Sequence, residues 1–282
     1  MDEVGLGRRL QQARRAAGLT QQDLCHRAGL SYSTLAKIER GAIKAPSIFT
    51  IQNIAQALST NLNDLVGLPA AAAKPKLTSK NGVRFVYFDI NGCLVRFFHR
   101  AFVKLADDTD APSDMVESTY WHYNDAVCRG DIGLDEFNTL LARKFGVDSI
   151  DWAQYYLDAV DPITEMAELL TWAAERYNVG LLSNIMPGLI DTMRAKSIIP
   201  NIAYDQIIDS SAVHAIKPED AIYDIAQQRC GMQAHEILLV DDSRQNLMAA
   251  ERMGWHVLWF DDYRPAESIQ RIREALEPSL AA

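Results

Sequence analysis

At 282 residues, 48% of them hydrophobic, the chain has room for one standard domain plus a small one, each with its own core. It contains no run of about 18 apolar residues, and the opening MDEVGLGRRLQQARR lacks the apolar stretch of a secretory signal, so a cytoplasmic chain is expected rather than an exported or membrane-spanning one. The net charge of -9 hides an asymmetry: residues 1–80 carry eleven Lys or Arg against five Asp or Glu, a basic module able to approach nucleic-acid phosphates, whereas residues 81–282 carry seventeen against thirty-two.

Before residue 68 the apolar residues recur at helical spacing: Leu6, Leu10 and Ala13, then Leu19, Leu24 and Ala28, then Leu35 and Ile38, then Ile48, Ile51, Ile54, Ala55 and Leu58. Four or five short helices are predicted. Thr20 has N-cap chemistry, and Asp23 three residues later can reach back to it as a short-armed capping box. Gly29 stops one helix in a sharp turn, after which Ser31 caps the next, Tyr32 to Arg40, ending at Gly41. Two short helices joined by a tight turn project the second one's N-terminal side chains into a DNA major groove.

The string TQQDLCHRAGLSYSTLAKIERG, residues 20–41, resembles the DNA-binding domain of the λ repressor and Cro family, and the resemblance runs over residues 6–68. It implies an all-α helix-turn-helix domain over 1–68, a double-stranded DNA operator as partner, and a homodimer on two half-sites. Carried onto this sequence, it makes Tyr32, Ser33 and Lys37 candidates for base-edge contacts, with Lys37 suited to guanine acceptors. Gln21, Ser31, Thr34, Arg40 and Lys44 are then candidates for phosphate contacts, which position a helix without reading sequence. His26 is expected to be a surface residue.

Helical periodicity stops at PAAAAKPKLTSK, residues 69–80, which reads as a linker. The domain that follows, 81–282, alternates strands with helices. RFVYFDI is a short apolar run ending in a carboxylate, and NVGLLSN, NIAYDQIIDS, EILLVDDS and WHVLWFDD are further strand candidates. Helices are predicted over Ile163–Tyr177, Pro187–Lys196, Pro218–Cys230 and Arg244–Met253. This alternation implies an α/β domain with a parallel sheet covered on both faces. Residues 97–160 read as helices, and most of their aromatic residues, Tyr120, Trp121, Tyr123, Trp152, Tyr155 and Tyr156, are expected in the core. Cys25, Cys93, Cys128 and Cys230 form no CxxC pair, so reduced thiols are expected rather than a zinc site or disulfides.

Four pieces in order, FDINGCLV, LLSN, IKPEDAIYDIA and LVDDSRQNLMAAERMGW, resemble the motifs of the haloacid dehalogenase (HAD) superfamily over residues 83 to about 262. The resemblance implies a Rossmann-like core with a helical cap inserted at about 97–160 and phosphoryl transfer through an aspartyl phosphate with Mg2+. Asp89 is placed as nucleophile and metal ligand; the Asn91 carbonyl and Asp242 complete the metal site, with Asp241 beside them. Ser183 and Asn184 are placed to donate to a phosphoryl group that Lys217 holds.

Position 91 departs from the family pattern. Phosphatases of the family resemble one another in carrying an Asp there, which protonates the leaving oxygen and then activates water; an amide does neither, and losing a general acid and base costs about 100-fold to 10,000-fold in rate. Dehalogenases of the family also lack this Asp, but they usually show an aromatic residue in its place and need no metal pair like Asp241 and Asp242. The sequence therefore points to a DNA-binding transcriptional regulator whose HAD-like domain serves as an assembly module or as a sensor for a phosphorylated small-molecule ligand. The alternative is an active Mg-dependent phosphatase that its helix-turn-helix localises or oligomerises.

Overall fold

The computed structural model describes residues 3–43, 45–58, 60, 62–66 and 75–278. The chain divides into two units, Met1–Lys74 and Pro75–Ala282. Among the described residues no helix is long and apolar enough to cross a membrane.

The described residues of the first unit form five helices: α1 (Glu3–Ala16), α2 (Gln21–Ala28), α3 (Tyr32–Glu39), α4 (Ile48–Ala57) and α5 (Leu62–Val66). Leu10, Leu24, Leu35, Ile38, Ile51 and Ile54 meet in one small core, the face that the helical spacing predicts. Thr20 caps α2 through both halves of a capping box: Oγ1 accepts from Asp23 N at 3.2 Å, and the Thr20 N–H donates to Asp23 Oδ2 at 2.9 Å. Gly29 ends α2 at φ 64°, a left-handed conformation that glycine adopts without a Cβ clash, and Ser31 Oγ then caps α3 by accepting from Thr34 N at 3.1 Å. Gly7 lets α1 lie close against α3, since an added Cβ would sit 2.6 Å from the Ile38 carbonyl oxygen.

The same two helices are pinned by a buried ion pair. Arg14 Nε and Nη2 donate to Glu39 Oε1 and Oε2 at 2.7 and 3.0 Å, and Arg14 Nη1 donates to the Leu19 carbonyl at 2.8 Å. Burial alone would disfavour the Glu39 carboxylate, but hydrogen bonds from Arg14 and Gln21 outweigh it and hold the carboxyl below its ordinary range.

The second unit starts with β1 (Phe85–Phe88) and β2 (Val95–Arg96), then four helices, α6 (His99–Thr109), α7 (Ser113–Cys128), α8 (Leu134–Phe145) and α9 (Trp152–Ala159). It continues with β3 (Asp161–Pro162), α10 (Thr164–Ala174), β4 (Asn178–Ser183), α11 (Leu189–Ala195), β5 (Gln206–Asp209), α12 (Ser210–Val213), α13 (Asp220–Cys230), β6 (Ile237–Asp241), α14 (Arg244–Arg252), β7 (His256–Trp259) and α15 (Pro265–Ala275). Five strands form one parallel sheet in the order β5-β4-β1-β6-β7. Alternate residues of β1 serve opposite faces: Val86 and Phe88 pack with Leu169, Leu170 and Ile272, whereas Phe85 and Tyr87 pack with Tyr223, Ala226 and Trp255. Gly180 on β4 is required where it stands, because a Cβ there would lie 2.7 Å from the Tyr87 ring.

Two features lie outside what the sequence predicts. β2 and β3 pair antiparallel, Val95 with Pro162 and Arg96 with Asp161, so the chain leaves the sheet for α6–α9 and returns through one two-stranded stem. A final helix, α15, packs on α10. The predicted strand NIAYDQIIDS is shorter than expected: only Gln206–Asp209 pairs, and Asp209 then caps α12, its Oδ1 accepting from Ser211 N at 2.9 Å.

Candidate phosphate and metal site

Parallel strands deliver their C-terminal ends to one edge of a sheet, and here that edge gathers the polar residues of four separate sequence segments. Asp89 follows β1, Ser183 ends β4, Asp241 ends β6 with Asp242 next to it, and Lys217 lies on the loop between α12 and α13. Lys217 Nζ stands 3.0 Å from Asp89 Oδ1 and 2.5 Å from Asp241 Oδ2, with all three side chains buried. Burial would drive Lys217 toward the neutral amine, but the Asp241 and Asp89 carboxylates more than reverse this and keep it protonated. Desolvation by the walls of the cleft, followed by the Asp89 and Asp241 charges, pushes Asp242 up to about 7 although its side chain is open to solvent.

Asp241 is the anchor of the cluster. Its Oδ1 accepts from Ser243 N at 2.8 Å and from Asn246 Nδ2 at 3.1 Å, while Oδ2 takes Lys217 and Asn246. Asp242 carries no such bonds and opens into a cavity of about 380 Å³ that also receives Asp89, Asn91 and Lys217. Gly92 makes room for it, since a Cβ there would lie 2.1 Å from Asp242 Oδ2. Asp89, Asp241 and Asp242 each offer an oxygen within 4.8 Å of the others. A single ammonium leaves this group with excess negative charge, and an all-oxygen donor set fits a hard divalent cation such as magnesium.

Ser183 is fully buried, and its Oγ makes no hydrogen bond although Asp89 is beside it. A buried hydroxyl without a partner is costly unless another group completes it. Asn184 differs from the expectation that its side chain faces a phosphoryl group. Its Oδ1 accepts from Lys217 N at 2.7 Å and its Nδ2 donates to the Lys217 carbonyl at 2.8 Å, so the amide clasps the lysine's loop.

The contact of the inserted helices with Asn91 lies outside what the sequence predicts. Tyr156 on α9 donates to Asn91 Oδ1 at 2.5 Å. Burial, reinforced by the Asp89 charge, keeps the proton on the phenol. Among the described residues Asn91 Nδ2 has no protein partner, so the bond holds the amide with its donor end free. Tyr156, Tyr120 and Trp152 are buried as expected, but Trp121 remains 46% exposed and lines the cavity. The one signal available in the sequence was the crowding of aromatic residues in α7 and α9.

In the first unit, Tyr32, Ser33 and Lys37 lie along exposed positions of α3, where the side chains of a recognition helix must stand to reach base edges. The phosphate candidates are less uniform. Gln21 Nε2 donates to Glu39 Oε2 at 2.7 Å, so its amide supports the buried ion pair instead of lying free, and Ser31 Oγ is engaged in capping α3 with Thr34. Arg40 is exposed, with Nε on the Ala36 carbonyl at 3.1 Å. Lys44 lies outside the described residues.

A helix-turn-helix family model matches residues 10–65, and a haloacid dehalogenase-like hydrolase model matches residues 137–260. The chain joins a helix-turn-helix domain to a haloacid dehalogenase-like domain. The second match begins after Asp89; it is the fold that returns Asp89 and Asn91 to the matched residues. Over 128 residues the chain is 30% identical to an (S)-2-haloacid dehalogenase of Pseudomonas fluorescens, covering 42% of this chain and 53% of that protein. It spans 21% of the mouse acyl-CoA dehydrogenase family member 10, at 22% identity over 231 residues. A predicted HAD-like hydrolase from Porphyromonas gingivalis shares the fold at a TM-score of 0.57 and 22% identity, over 68% of this chain and 98% of that one. A HAD family enzyme of Bacteroides thetaiotaomicron, crystallised with magnesium and inorganic phosphate, does so at a TM-score of 0.55 and 20% identity, over 64% and 94%.

Proposed function

We propose that the chain is a sequence-specific DNA-binding regulator whose HAD-like domain binds a phosphorylated small molecule together with magnesium and turns it over slowly or not at all. The observation that carries this reading is the meeting, at one cavity, of a lysine–carboxylate cluster and an amide at position 91 held by Tyr156. Asp89, Lys217 and Asp242 meet at the cavity, while Asn91, fixed by Tyr156, offers hydrogen-bond donors and no transferable proton.

Asp89, the Asn91 carbonyl and Asp242 would hold the metal, with Asp241 behind them as the partner of Lys217. When bound, magnesium supplies charge neutralisation between the carboxylates and phosphoryl oxygens. Lys217 holds the anion, Ser183 Oγ gains the partner it lacks, and Asp89 stands as the nucleophile for phosphoryl transfer. In the helix-turn-helix domain, Tyr32, Ser33 and Lys37 read base edges, with Thr34, Arg40 and Lys44 on phosphates. Repressor-type domains dimerise on two half-sites, so the operator is a palindrome.

The test is enrichment of genomic DNA fragments by the purified full chain at fixed salt, with and without magnesium and a pool of phosphorylated metabolites. A palindromic motif whose enrichment changes with the pool supports the reading. The absence of any motif under either condition overturns it.

A further inference from the structure

The cavity is much larger than a phosphate and has a wall of its own character. Phe97, Tyr120 and Trp121 bring aromatic faces to it, and the Phe97 and Trp121 rings are parallel within 3° at a centroid separation of 6.0 Å. At about 380 Å³ its volume lies in the range of pockets that enclose an organic ligand. Trp121 leaves 46% of its surface exposed while it lines the cavity, so part of its ring surface is open to a ligand there.

The charges on the lining are one-sided. Among the described residues its only cation is Lys217, already paired with Asp89 and Asp241. On the helical wall Asp125 accepts from Asn124 Nδ2 at 3.1 Å and forms no ion pair among the described residues. Arg129, one turn further along, is committed to Glu219 at 2.6 Å and Asp131 at 3.4 Å. Asn124 Oδ1 is taken by the Tyr120 hydroxyl at 2.7 Å, so Asp125 is the acceptor left for a ligand on that wall. A second anionic group on the ligand would meet carboxylate and aromatic faces with no cation to receive it.

We infer that the cavity selects a phosphomonoester whose body is a flat ring bearing an amine, stacked on Trp121 with the amine at Asp125. This rests on the phosphate-binding reading above. The ring supplies apolar surface to the helical wall, the amine answers the one unpaired carboxylate there, and the phosphoryl end reaches Lys217.

Calorimetric titration of the full chain with magnesium tests it, using non-hydrolysable probes that share one anionic end: inorganic phosphate as baseline, then methylphosphonate, benzylphosphonate, 4-(aminomethyl)benzylphosphonate and 4-carboxybenzylphosphonate. Benzylphosphonate should bind about tenfold tighter than methylphosphonate. The aminomethyl probe should gain about threefold more, and the carboxylate should lose about tenfold relative to benzylphosphonate. Trp121→Ala should erase the ring preference, and Asp125→Asn should reduce the aminomethyl probe to the level of benzylphosphonate. Phosphate and methylphosphonate binding without ring preference, or a carboxylate probe equal to the amine, overturns the inference alone. Failure of every probe, inorganic phosphate included, overturns the phosphate reading and the inference with it.

Discussion

Tyr156 donates its phenolic hydrogen to Asn91 Oδ1 at 2.5 Å, joining α9 of the inserted helices to the loop two residues beyond Asp89. Under the proposed function, this bond fixes an amide at the position from which a general acid would serve a leaving oxygen. Asn91→Asp places a titratable group there with its hydrogen-bond partner already in position. Release of inorganic phosphate from phenyl phosphate in the presence of magnesium should rise by about 100-fold or more in this variant. Equal turnover in the two proteins would show that the amide is not what limits chemistry.

Among the described residues Lys217 is the only cation paired with Asp89 and Asp241, and all three are buried. Lys217→Ala leaves two buried carboxylates uncompensated, and breaking such a pair costs about 3–5 kcal/mol. The urea midpoint of the HAD-like domain should fall, and magnesium should recover part of the loss because it replaces the missing charge. An unchanged midpoint in metal-free buffer would contradict this account of the cluster.

Much of this candidate site is legible in the sequence because short apolar runs end in the polar residues that the sheet gathers at one edge. FVYF followed by Asp89, LLS with Ser183, and ILLVDD with Asp241 and Asp242 each state a buried strand and its chemistry in one string. The roles of Asn184 and Tyr156 are not legible, because each depends on a partner 33 or 65 residues away. The β2–β3 stem was hidden for a related reason: two residues per strand carry no periodicity. In the first domain, capping at Thr20 and Ser31 follows directly from residue type. Gln21 reads as a candidate for a phosphate contact because nothing local reveals that Glu39 is buried beside it.

The Arg14–Glu39 pair makes the helix-turn-helix domain sensitive to acid. The folded-state Glu39 carboxyl lies below its ordinary value, so it contributes stability that is fully present above the unfolded pKa of about 4.3 and is lost as pH falls through the depressed folded value. Thermal melts of the domain's helical signal from neutral to acid pH should show this loss. In Glu39→Gln the Tm should be lower at neutral pH and the acid decline shallower; a variant with the wild-type acid profile would place the sensitivity elsewhere.

Lys37 and Gln21 should separate in DNA binding. Lys37→Ala removes an exposed donor on α3 and should cost about 1–3 kcal/mol on the selected site while relaxing base preference at one position. Gln21→Ala should instead lower the domain's Tm through the loss of its bond to Glu39. Competition binding and thermal melts on both variants check this, and a Lys37→Ala protein with unchanged base preference would remove Lys37 from the reading set.

The most direct measurement is the affinity of the full chain for its selected palindrome at fixed salt, with and without magnesium and 4-(aminomethyl)benzylphosphonate, in wild type and in Lys217→Ala. The account predicts that the probe changes wild-type affinity at least about fivefold, the lower end of ordinary allosteric coupling, and leaves Lys217→Ala unaffected. DNA affinity indifferent to the probe in wild type, with the probe demonstrably bound, would contradict a sensor role for the HAD-like domain.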